Sequence, residues 1–166
     1  MVTIISICIA AAALFITLFE VHATRRHNRL SVQPNLTFYG DEEKGEFIFR
    51  LQLKNEGLGP AIVTSFEINI DGITVDGGAS PKSWDIFFDK LNIKKPWHRK
   101  TSISPNTILG VNSCVNVLSF GYMRNQNDKI FLEDLKKRLP NIKFICKYKS
   151  MYGCKDIAEY DGSFFY

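Results

Sequence analysis

Residues 2–19 read VTIISICIAAAALFITLF, a stretch without a single charge, and nothing else in the chain restricts its folding as much. As a helix rising ~1.5 Å per residue, this run is long enough nearly to cross the ~30 Å hydrocarbon layer of a bilayer. Residues 1–21 are therefore expected to form a transmembrane helix, with Glu20 and His22 at the headgroup level. Residues 22–30 follow as a basic juxtamembrane linker carrying Arg25, Arg26 and Arg29, and residues 31–166 form one domain. The chain's 166 residues leave room for one hydrophobic core after the span is removed.

No Lys or Arg precedes the apolar run and three arginines follow it at once. The positive-inside rule then puts the N-terminus outside and the domain in the cytoplasm, as for a single-pass protein of a bacterial inner membrane. The competing expectation is a cleaved signal peptide or a periplasmic domain. Val21-His22-Ala23 offers a small-residue cleavage pattern, but the basic n-region of a signal peptide is missing. For Arg25, Arg26 and Arg29 the expected role is at the membrane interface, where each gains about 1 kcal/mol from anionic headgroups.

After residue 21 the chain holds 21 basic and 16 acidic side chains, a surplus too mild to indicate nucleic-acid binding. Of four cysteines one, Cys8, lies in the apolar run. The three others, Cys114, Cys146 and Cys154, form no dense disulfide framework, so free thiols are expected, with a Cys146–Cys154 bridge as the alternative.

Past the membrane the pattern is that of short strands. LSVQPNLTF at residues 30–38 predicts an edge strand, because its proline cannot donate to a ladder. Gly40 to Gly45 reads as a charged turn, in which Asp41, Glu42 and Glu43 are exposed. Phe47, Phe49, Leu51 and Leu53 alternate with polar residues in a half-buried strand. Asn55-Glu56-Gly57-Leu58-Gly59-Pro60 breaks the run, and Ile62, Phe66, Ile68 and Ile70 then share a face, with Thr64 as the exception. Asp71-Gly72 marks a hairpin. Trp84, Phe87, Phe88 and Leu91 predict a short helix capped by Ser83. A strand within residues 108–120 and a helix over residues 128–139 come next. A closing hairpin, with Ile142, Phe144, Cys146 and Tyr148 inward, ends the chain. The whole predicts a mainly β fold, an immunoglobulin-like antiparallel β-sandwich with one or two short helical insertions behind a transmembrane helix.

FRLQLKNEGLGPAIVTSFEINIDG, residues 49–72, resembles the second and third strands of bacterial CARDB-like and other immunoglobulin-like domains. Asn55, Gly57, Gly59, Pro60 and Ala61 match the corner that joins two core strands there. The resemblance implies a folding role for the glycines, by positive φ and close chain crossing between sheets. It also implies an interaction module that is extracytoplasmic in most such proteins, against the charge-based topology. The membrane helix, HNRLSVQPNL, this corner and the Tyr148 to Gly153 hairpin together also look like small bacterial single-pass membrane proteins. No activity comes with that likeness.

Chemistry is sparsely signalled. His98 is the single histidine outside the juxtamembrane stretch, and Ser102 and Ser104 near it are framed by no nucleophile motif. His98 and the three domain cysteines lack metal-ligand spacing, so neither a metal nor a cofactor is expected. Lys95, Trp97, Arg99 and Lys100 mix cations with an indole in what reads as a loop, and are the candidate contacts for a partner or headgroup. The expected function is a non-catalytic, membrane-anchored interaction or sensing module with a protein partner, nucleic acid being disfavoured. The rivals are a membrane-active effector that forms homo-oligomers through Ala10-Ala11-Ala12-Ala13, and an enzyme built around His98.

Overall fold

A computed structural model describes residues 2–43, 48–75, 78–91, 97–121 and 137–162. The uncharged run forms the first part of one helix, α1 (Val2–Ser31), which continues without a break through the basic stretch at residues 22–30. It is the one described helix long and apolar enough to cross a membrane. Pro34 limits it, because a residue before proline is driven out of the α region. Ser31 closes the last turn by donating its hydroxyl to the Asn28 carbonyl at 3.1 Å. The strand expected over residues 30–38 accordingly begins late, as β1 (Leu36–Glu43), and the charged residues Asp41, Glu42 and Glu43 belong to that strand rather than to a turn.

Two antiparallel sheets follow. One has the order β1-β2-β7-β5, with β2 (Ile48–Asn55), β7 (Cys114–Gly121) and β5 (Trp97–Lys100). The other runs β4-β3-β8-β9, with β3 (Ala61–Ile70), β4 (Ile73–Val75), β8 (Ile142–Lys149) and β9 (Lys155–Tyr160), and the two-residue β6 (Ile108–Leu109) also pairs with β3. The Asp71-Gly72 hairpin forms as expected, with φ of 52° and 80° at its two central residues.

Apolar faces of both sheets meet in one core. Phe38 of β1 lies 6.2 Å from both Phe66 of β3 and Tyr160 of β9, ring centre to ring centre. Phe144 of β8 continues the stack to Trp84 and Phe87 at 6.2 and 6.0 Å. Those two come from α2 (Pro81–Lys90), whose N-cap is Ser80, three residues before the expected Ser83; the Ser80 hydroxyl accepts from the Ser83 amide. The alternation in β3 is broken where Thr64 is inserted between Val63 and Ser65, which pair with adjacent residues of β8. Ala61 and Val63 are therefore buried before the bulge and Phe66, Ile68 and Ile70 after it, while Ile62 faces the other way. The helix expected over residues 128–139 lies largely outside the described residues; its end is a short 3-10 turn, Leu139–Asn141.

Candidate membrane-facing site

The basic part of α1 is organised by helical geometry. His22, Arg25, Arg26 and Arg29 are spaced by three, four and seven, so they share one face and line a groove of about 340 Å³. Among the described residues no carboxylate pairs with any of the three arginines. Arg29 instead places its guanidinium 6.0 Å from the centre of the Tyr152 ring, at a cation–π distance.

Tyr152 sits at the tip of the β8–β9 hairpin, and the tip is held by its own hydrogen bonds. The buried Ser150 receives the Gly153 amide on its carbonyl at 2.9 Å and the Cys154 amide on its hydroxyl at 3.1 Å, and donates its amide to the Cys154 carbonyl at 2.8 Å. Gly153, at φ +80°, permits the reversal. Met151 and Tyr152 are left exposed at the end of this hydrogen-bonded turn.

The helix is fixed to the domain by the corner between β2 and β3. Asn55, fully buried, accepts the amides of Asn35 and Gly57 on Oδ1 at 3.2 and 3.0 Å. Its Nδ2 faces the carbonyls of Gly59, Leu109 and Gly110 at 2.8, 3.0 and 3.0 Å. Backbone bonds from Glu56 to Asn35 (2.8 Å) and from Leu58 to Gln33 (3.0 Å) complete the attachment. Neither Gly57 nor Gly59 has a positive φ, so the expected conformational role is corrected. Both are glycine for space: a Cβ on Gly57 would lie 2.3 Å from the Asn35 nitrogen, and one on Gly59 1.7 Å from the Val32 carbonyl oxygen. The close crossing is with the segment leaving α1.

The same end of the domain carries Leu58, Ile108, Val111, Met151 and Tyr152, all exposed. Strand register brings them together, since Ile62 pairs with both Ile108 and Lys149, and Lys54 with Cys114. Exposed apolar side chains thus gather where α1 enters.

The other expected residues lie elsewhere. Lys95 is outside the described residues. Trp97, His98 and Arg99 belong to strand β5 rather than to a loop, opposite Gly121, Phe120 and Ser119 of β7. Lys100 is engaged with α2: its ammonium is 2.7 Å from Asp85 Oδ1 and 5.8 Å from the Phe88 ring centre. Ser102 and Ser104 line a groove of about 390 Å³ with Ser65, Ser80, Ala79 and Ile103. Among the described residues no three His, Cys, Asp or Glu side chains converge. All four cysteines are free thiols. Burial pushes the Cys146 thiol up from 9.0 to about 12, and pushes the Tyr148 hydroxyl, which accepts the Leu36 amide at 3.2 Å, above its ordinary range.

Residues 1–163 match a domain of unknown function, DUF8453. The chain belongs to this family. The match takes in α1 together with both sheets. A search of curated proteins finds no match. Tyr152 was not singled out from the DUF8453 sequence as a site residue; the Tyr-Gly pair at a hairpin tip signals a turn, whereas its meeting with Arg29 depends on the long-range corner at Asn55.

Proposed function

We propose that this DUF8453 protein is a non-catalytic, membrane-anchored interaction module that holds an immunoglobulin-like sandwich in one fixed attitude at a bilayer surface. The observation that carries the reading is the attachment of an apolar helix to the domain through Asn55, Gly57 and Gly59, with no free linker between them. A tether that had only to localise the domain would need no such joint. The immunoglobulin-like assignment is supported by strand order: β1-β2-β7-β5 and β4-β3-β8-β9 correspond to the A-B-E-D and C′-C-F-G sheets of that fold.

In this reading α1 crosses a bacterial inner membrane, and the arginines after the apolar run keep the domain in the cytoplasm, where it meets a protein partner. The test uses the native thiols. Cys114 and Cys154 are exposed, so a membrane-impermeant maleimide should leave both unmodified in intact cells and label both after permeabilisation. The chain itself should stay in membranes through an alkaline carbonate wash. Labelling in intact cells moves the domain to the other side, and a mature chain starting at Thr24 removes the anchor.

A further inference from the structure

From the arginine face of α1 and the hairpin tip beside it, we infer that this chain holds the headgroup of an anionic phospholipid of the bilayer it crosses, an inference that rests on the anchoring proposed above. About 20 helical residues span the hydrocarbon, so Arg25 and Arg26 stand roughly 6–8 Å beyond its boundary, at the outer part of the headgroup layer. Arg29, whose guanidinium is 6.0 Å from the Tyr152 ring centre, lies one turn further along the helix. Bilayer surface, arginine face and hairpin tip therefore bound a wedge. Its floor is lipid phosphate and its wall carries guanidinium groups, whose paired N–H groups match phosphate oxygens.

Topology alone does not account for this arrangement. The positive-inside effect depends on how many cations lie near the end of a span, whichever side of the helix they occupy. Here the cations share one side, at a spacing where like charges repel, and no described carboxylate relieves them. That side is also the one on which Tyr152 meets Arg29. An anion bound between the guanidiniums removes the repulsion, and the membrane beneath supplies one.

A charge-preserving variant separates the two roles. Thr24→Arg with Arg25→Thr, and Asn28→Arg with Arg29→Asn, keeps three arginines but turns two of them off the face. The full chain, purified in neutral detergent, would be titrated with fluorescent phosphatidylglycerol. The expected result is saturable binding, displaced by unlabelled phosphatidylglycerol but not by phosphatidylcholine, and weakened about tenfold or more in the variant. Tyr152→Ala should weaken it by a smaller factor, and both the rearranged variant and Tyr152→Ala should keep the native melting temperature. Equal binding by the variant and the native chain overturns the inference, as does equal competition by phosphatidylcholine. Displacement of the lipid by inorganic phosphate alone assigns the site to a free anion and also overturns it. Release of the native chain in the carbonate wash sinks the anchoring itself, whereas retention with unaltered lipid binding in the variant sinks only the headgroup site.

Discussion

Asn55 concentrates more of the architecture than any other polar side chain described. Its fully buried amide joins the segment leaving α1, the β2–β3 corner and the loop after β6, and its bonds to Gly57, Gly59 and Leu109 are themselves buried. Asn55→Ala leaves several buried donors and acceptors unmet and should cost about 2–4 kcal/mol, read as a fall of roughly 10 °C in the melting temperature of the detergent-purified chain. Gly59→Ala cannot be accommodated without moving the Val32 carbonyl, so residues 32–35 should become a site of limited proteolysis. Cys146 adds a pH dependence. Its folded value is raised above its unfolded one, so the associated stability is complete below pH 9.0 and is lost as the pH climbs toward about 12. Melting temperatures should therefore decline above pH 9.0, and in Cys146→Val the decline should begin nearer the ordinary tyrosine range of about 10.

At the scale of elements, local alternation was a reliable guide wherever a strand keeps one face buried throughout. The inward set Ile142, Phe144, Cys146 and Tyr148 was legible for that reason, and so was the Asp71-Gly72 turn. Reading β3 as a single uninterrupted face failed at its start, because the bulge at Thr64 reverses the sides and an insertion of one residue leaves no composition signal beyond a misplaced polar group. The cap of α2 was misplaced because two serines stand one turn apart, and Pro81 after Ser80 was the cue that separates them. Trp84 joins this helix to the core, with its indole N–H donating to the Thr101 carbonyl at 3.2 Å. Trp84→Ala should cost about 3–5 kcal/mol, Ser80→Ala about 1 kcal/mol, and Lys100→Ala, which breaks a surface pair with Asp85, less than about 1 kcal/mol. Chemical denaturation of the three variants in detergent would rank them.

Over the whole molecule, the apolar helix and the succession of strands could be read directly, whereas the joint between them could not. The glycines of the corner drew attention as a turn, yet what they admit is the chain from residues 32–35, a contact between segments some 25 positions apart that periodicity does not report. The arginines, too, were visible as a count after a span before they were visible as a face. Because α1 runs unbroken into that joint, the direction in which the domain looks is set by the number of residues between the apolar run and Val32. One alanine inserted after Val21 would swing the domain through about 100° relative to the membrane-buried surface and raise it by ~1.5 Å, while seven would nearly restore its heading. The helix would thus act as an indexed shaft, with any partner engaged in the plane of the membrane lost and regained in step with the helical pitch.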